Sequence, residues 1–412
     1  MSAPDLASPE TVPPHDESPG APPVADAASV RVVDRADQRS PAGLYLHIPF
    51  CTEICHYCHF NRQRLDAALK RAYVDALVDD IGRQGTGGVA DTIFFGGGTP
   101  SLLSDREVGR LIEACGRAFT LAPSAEITLE TNPETVSGGQ LAAFRAAGVT
   151  RVSLGVQSFL DGELRRLGRV HDAARARAAV TDALAAGFDA VSLDLMMWLP
   201  GQRLSAWLAS VETAIALAPH HLSLYMLELY PNAPLRDEMA RGGWTLAADE
   251  EAVAMYEGAF TRLAAAGYDQ YEISNAARPG QRARHNLKYW SDGDWFGFGC
   301  GAHGTVGPIR WHNVAGIGDY VERVRAGRST VASARRLPPE EQLEDALVMG
   351  MRLLEGIDVL VLGARYGVDV MSRYGTDLAH MIDQDVVSFD GTRLRLTAGG
   401  RVLSNEVMRV FV

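Results

Sequence analysis

Six short runs rich in β-forming residues alternate with helical stretches between residues 44 and 227, and this rhythm restricts the available folds more than any other feature of the chain. The runs are Leu44–Phe50, Thr92–Phe95, Glu126–Glu130, Arg151–Val156, Ala190–Leu195 and His221–Leu227. Amphipathic segments such as Arg106–Phe119 and Ala173–Ala186 lie between them, and Gly148 and Gly187 stand where a helix ends in a left-handed residue. Strand–helix–strand units of this kind build a parallel sheet with right-handed crossovers. Six units are fewer than the eight of a closed barrel. The expectation is therefore an α/β fold with a partial, open (β/α)6 barrel over residues 43–285.

On either side the pattern changes. Residues 1–42 hold eight of the chain's 20 prolines, among Ala, Ser, Asp and Glu, with no helical or strand period. Such a segment has too little apolar surface to offset its ordering entropy and reads as a disordered tail. Later in the chain, Asp249–Ala266 reads as a helix and Gly267–Asn275 as a strand. Residues 286–335, rich in Gly and aromatics, read as a linking segment. Pro338 and Pro339, followed by Glu340 and Glu341, open a helix, and Asp390-Gly391 between two short apolar runs signals a hairpin. Residues 336–412 thus read as a mostly helical, winged-helix-like domain.

A formal net charge of −12 gives nucleic-acid binding little electrostatic support. No apolar run nears the roughly 18 residues that a membrane-spanning helix needs, and the acidic opening segment does not resemble a secretory leader. A cytoplasmic protein is expected. Of only five cysteines, three fall within eight residues, which does not fit a disulfide framework. Cys115 lies on an apolar helix face and reads as inert core.

The cluster is Cys51-Thr-Glu-Ile-Cys55-His-Tyr-Cys58. Three thiolates at these gaps can wrap one compact metal centre from a single loop. Zinc would want a fourth ligand, with His56 and His59 near in sequence, though no second cysteine knuckle appears. A cubane held by three cysteines keeps one iron open for a further ligand. A second signal is Gly96-Gly97-Gly98-Thr99-Pro100, at the end of the second β-run, where glycines let the backbone approach a ligand and expose its N–H groups. Polar residues then recur at the ends of the next three runs: Glu130, Gln157 and Asp194. The C-terminal ends of parallel barrel strands are where sites are built. Arg169, in Leu167-Gly-Arg-Val-His171, could pair with a carboxylate.

C-x3-C-x2-C with an aromatic before the third Cys resembles the radical S-adenosylmethionine (SAM) superfamily, and GGGTP matches that family's motif for the SAM amino group. The resemblance implies a [4Fe–4S] cluster on Cys51, Cys55 and Cys58, with SAM chelating the open iron and Tyr57 near its adenine. Reductive cleavage of SAM is the chemistry it implies. From Gly43 to Val412 the chain is similar to the coproporphyrinogen oxidase-like (HemN/HemW) branch. Tyr45, Gly97, Gly98, Thr99, Glu130, Gln157, Arg169 and Asp194 fall on positions that resemble the oxidase's SAM contacts. On the oxidase side of the branch a further Cys follows the third, at C-x-C. Here that position is Phe60, as on the HemW side.

The segment His285-Asn-Leu-Lys-Tyr-Trp290 is also HemW-like, which makes His285 and Tyr289 candidate haem ligands, with His303 in Gly-Ala-His-Gly304 a third. Tyr289, Trp290, Trp295 and Phe296 could wall a flat macrocycle. His59, Trp198 and Cys300 depart from the usual pattern, and Cys300 reads as a small buried residue. The implied function is a haem chaperone that binds the cluster, SAM and haem and passes haem to an acceptor haemoprotein. That acceptor could sit at a membrane periphery, and an electron donor would be needed for SAM cleavage. The alternative is a radical enzyme that oxidises a porphyrinogen or methylates an unreactive carbon.

Overall fold

A computed structural model of the chain describes residues 32–231 and 233–412. Most of the Pro-rich segment expected to lack order lies outside the described residues. Its last part, 32–41, packs on the body of the protein. Val33 is buried, and the Arg39 guanidinium lies 3.3 Å from Asp292. The backbone N–H of Ser40 donates to the fully buried Asp294 at 3.0 Å.

Six parallel strands form an arc in chain order: β1 (Ala42–Ile48), β2 (Val89–Gly97), β3 (Thr120–Thr131), β4 (Arg151–Gln157), β5 (Ala190–Met197) and β6 (His221–Met226). Each pairs in parallel with the next. Their near-continuous apolar runs suit strands covered on both faces. In β1 only Tyr45 is not fully buried. Helices α1 (Ala67–Gln84), α2 (Asp105–Ala118), α3 (Gly138–Ala146), α4 (Asp161–Arg166), α5 (Ala173–Ala185) and α6 (Leu204–Leu217) connect them. Helix α2 shows why they form. Ser104 and Glu107 make a reciprocal capping box, and Val108, Leu111, Ala114, Cys115 and Ala118 recur at helical spacing on the buried face.

The arc does not close. Beyond β6 the sheet adds two short antiparallel strands, β8 (Asn275–Ala277) and then β7 (Asp269–Gln270). Only the ends of the strand expected over 267–275 are strand, because Tyr271–Ser274 turns away to meet the last domain. At the other edge, β9 (Trp295–Phe298) pairs in parallel with β1 and is followed by antiparallel β10 (His303–Val306), β11 (Ile309–Asn313) and β12 (Val331–Arg336). The segment expected to link two domains is thus an extension of the barrel sheet.

Residues 339–411 have their own core, which includes Leu343, Leu347, Leu378, Leu394 and Phe411. A three-stranded sheet, β13 (Ile357–Asp358), β15 (Arg393–Leu396) and β14 (Val387–Phe389), packs with helices in a winged-helix-like arrangement. Arg352 joins this domain to the barrel. Its guanidinium donates to buried Glu272 at 3.0 Å and lies 4.3 Å over the ring of Trp290. Among the described residues no helix is long and apolar enough to cross a membrane.

Candidate cluster and ligand site

The cysteine loop leaves β1 at the C-terminal rim of the arc and is held there by backbone. Gly98 and Thr99 donate to the carbonyls of Ile48 and Phe50, both at 2.8 Å. A Cβ at Gly98 would stand 2.7 Å from the Phe50 carbonyl oxygen. The Gly run is therefore needed where two backbones touch. On the far side, His56 donates to Leu167 at 3.1 Å, and Leu235 donates to His56 at 3.0 Å.

Gly168 completes this contact. Its φ is +69°, and a Cβ there would lie 2.8 Å from the ring of His56. We expect Gly168→Ala to strain the turn and push His56 outward, lowering iron retained after anaerobic reconstitution by a few-fold. Iron content equal to wild type would show that the loop does not depend on this close approach.

Cys51, Cys55 and Cys58 line one cavity of about 330 Å³ together with Tyr57, Gly97, Gly98, Thr99, Glu130, Gln157, Arg169 and Asp194. That volume is within the range of small-ligand sites. Tyr45, grouped with these in the sequence, instead lines a neighbouring cavity, where its hydroxyl meets His47 Nδ1 at 3.0 Å. Among the described residues no three His, Cys, Asp or Glu side chains are gathered as a single metal ion would need. A cubane asks instead for three thiolates around one space, each on its own iron.

Asn132 is the residue the sequence did not single out. Its side-chain amide donates to Thr99 Oγ1 at 3.0 Å, and Thr99 donates to Cys51 Sγ at 3.6 Å. On its other side Asn132 Oδ1 accepts from Arg169 at 2.7 Å, and Arg169 also donates to Cys55 Sγ at 3.3 Å. One hydrogen-bonded chain therefore ties two of the thiols together. Its position two residues past Glu130, at a strand end, was the available signal.

Burial dominates the electrostatics of the cavity and opposes charge on its thiols and carboxyl groups. Burial pushes the thiols of Cys51 and Cys58 up, while Arg62 pulls both back. Burial opposes the charge on Arg169, but Tyr57, Cys55 and Glu134 more than offset this and hold its pKa above the ordinary range. Across the cavity, burial and the Asp194 charge push Glu130 up to about 8, against one opposing hydrogen bond from Gly97 N–H at 3.2 Å. Burial likewise pushes Asp194 up to about 6, though Ser153 donates to it at 3.1 Å. Neither carboxylate has a protein cation in hydrogen-bond contact among the described residues. Gln157 adds backbone strain, with φ +66° at the end of β4.

The three haem candidates part company. His285 is 1% exposed, and both its ring nitrogens are taken, by Thr92 Oγ1 and by the Tyr289 hydroxyl, each at 2.8 Å. It lines neither cavity. Tyr289 and His303 line the second cavity, of about 390 Å³, with Tyr45, His47 and Trp295. Phe60, Gly97 and Glu130 belong to both cavities. Cys300 is buried against the Tyr73 hydroxyl and Asn61, and Cys115 is wholly buried, so both are core thiols.

Residues 45–214 match the radical SAM superfamily, and residues 337–403 match the HemN C-terminal domain. A Bacillus subtilis (strain 168) protein named heme chaperone HemW is 34% identical over 375 residues, covering 89% of this chain and 98% of that protein. A protein of the same name from Mycobacterium tuberculosis (strain ATCC 25618 / H37Rv) is 36% identical over 389 residues, covering 90% and 95%. Among solved structures, coproporphyrinogen III oxidase (HemN) from Escherichia coli superposes with a TM-score of 0.80, over 92% of this chain and 91% of that one. At 22% identity that likeness speaks to the fold alone. A radical SAM domain implies a [4Fe–4S] cluster and SAM. The cavity fits both: three thiols with two arginines beside them, a cradle a Cβ would fill at Gly98, and two carboxyl groups that could meet a cationic ligand.

Proposed function

We propose, because this chain belongs to the HemW family of radical SAM proteins, that it is a haem chaperone which holds a [4Fe–4S] cluster and SAM in one cavity and haem beside them. The observation that carries this reading is the pair of adjoining cavities joined at Phe60. One gathers thiols and carboxylates; the other is walled by Tyr45, Tyr289 and Trp295 with an imidazole at its rim. Phe60 is 56% exposed. A flat apolar ligand that covered this ring would gain hydrophobic free energy.

The cluster and SAM, when bound, supply one-electron chemistry at a chelated iron. The chain's own residues have separable tasks. Cys51, Cys55 and Cys58 would ligate three irons, and Arg62 and Arg169 would balance their charge. The N–H groups of Gly97, Gly98 and Thr99 are bonded to Glu130, Ile48 and Phe50, so this run would offer backbone carbonyls, not N–H groups, to the amino group of SAM. Glu130 and Asp194 would meet its positive charge, with Gln157 and Tyr57 completing the wall. The partners implied are haem, an acceptor haemoprotein in or at the edge of the cytoplasm, and an electron donor wherever SAM is cleaved.

The test is a paired assay on anaerobically reconstituted protein. With haem, a complex near one haem per chain is expected. With coproporphyrinogen III, SAM and reductant, no decarboxylation is expected. Steady turnover of the porphyrinogen would replace the chaperone reading with an oxidase.

A further inference from the structure

Haem iron needs a ligand atom with a free lone pair, and the motif histidine does not offer one. His285 would have to break a hydrogen bond at 2.8 Å with either Thr92 or Tyr289 and leave a fully buried site stacked on Phe94 at 5.0 Å between ring centroids. It is also boxed in from below, since a Cβ at Gly43 would stand 2.9 Å from its ring. Each broken bond would strand a buried polar group.

His303 has the opposite character. It is an exposed residue that lines the second cavity, and among the described residues no hydrogen-bond partner meets either ring nitrogen. Its backbone is fixed rather than loose. A Cβ at Gly297 would lie 2.1 Å from the His303 carbonyl oxygen, and the Trp295 indole N–H donates to that same oxygen at 3.2 Å. The neighbouring Gly304 is equally closed by the ring of Trp311. His312 sits directly opposite on β11, with ring centroids 5.3 Å apart. Partial burial and that second imidazole both lower the His303 pKa, which keeps its lone pair available at neutral pH.

Resting on the haem reading above, we propose that His303 is the iron ligand, reaching haem from the rim of the second cavity, and that His285 is a positioning residue which holds Tyr289 in the cavity wall. A volume of about 390 Å³ is at the lower end for ligand pockets, so the macrocycle would stand partly out of it. Partial exposure suits a ligand that must be handed on. The chain Thr92–His285–Tyr289 then has a defined purpose, because Tyr289 in turn meets Trp295 edge-on at 4.9 Å.

The experiment is ferric haem titration of the reconstituted full chain and its variants, followed by absorption and electron paramagnetic resonance. His303→Ala is expected to weaken haem binding at least about tenfold, since loss of a mere hydrogen-bond partner of a metal ligand already costs about that much, and to remove the histidine-ligation signature. Iron and sulfide should stay at wild-type levels, and added imidazole should restore the signature. Tyr289→Phe, which cuts the His285 bond while keeping the ring, should preserve histidine ligation. Haem binding by wild type with an unchanged spectrum in His303→Ala would overturn the ligand assignment and leave the chaperone reading intact. Failure of wild type to bind haem would overturn both.

Discussion

Replacing Arg169 with methionine is expected to strip the protein of most of its cluster. The guanidinium donates to Cys55 Sγ, to Asn132 Oδ1 and to the Gly155 carbonyl, the last at 2.9 Å, and lies 3.8 Å from Glu134. Its side chain is only 4% exposed. Methionine fills the space but withdraws the donor from Cys55 Sγ, Asn132 Oδ1 and the Gly155 carbonyl, while Glu134 keeps only its contact with His171 at 2.9 Å. Removing one partner from a buried charged network costs about 3–5 kcal/mol. The loss falls on the loop that carries the thiols, so iron and sulfide per chain after anaerobic reconstitution should drop several-fold, with a lower unfolding midpoint. Arg169→Lys keeps the charge without the planar fork and should recover only part of the loss. Wild-type iron content in the methionine variant would mean that the network is ornamental to the cluster.

Glu130→Gln should do something less intuitive: stabilise the protein and weaken its hold on SAM. The folded-state pKa of about 8 stands above the roughly 4.3 of a free glutamate. Between those values the folded state binds the extra proton, so stability falls as pH rises and the full cost is present above about pH 8. A shift of that size sets an upper bound near 5 kcal/mol on this cost. Glutamine is neutral, can still accept from Gly97, and relieves the repulsion on Asp194. The gain in midpoint over wild type should therefore grow from pH 6 to pH 8 in SAM-free, cluster-loaded protein. SAM affinity should fall about tenfold or more, the worth of a charged hydrogen bond. A variant that is less stable at pH 8, or one that binds SAM normally, would contradict the assignment.

Local chemistry made much of this legible in the sequence. The six β-runs mark the six parallel strands because a strand covered on both faces must be apolar, and the polar interruptions at Glu130, Gln157 and Asp194 stand out against that background. Thiol spacing and the Gly run carried the cluster loop for the same reason. What escaped was non-local. Strand β9 pairs with β1 across some 250 residues of chain, and nothing in a Gly- and aromatic-rich segment says which edge it will join. Tyr45 lies on the strand just before the cysteine loop, yet its side chain lines the second cavity and not the first. His285 sits in a ligand-like motif, but only its contacts with Thr92 and Tyr289 reveal that its nitrogens are spent. Asn132 was hidden by being one polar residue among several at a strand end.

A haem chaperone of the kind proposed must hold its haem and yet release it to an acceptor. The most direct measurement is the fate of haem on the loaded protein, isolated by gel filtration and then mixed with a haem-free acceptor haemoprotein. Haem should remain bound when the loaded protein stands alone, and should move to the acceptor faster than it is lost to an inert haem scavenger. Loss at the same rate to acceptor and scavenger, or a chain that retains haem against both, would contradict a chaperone role.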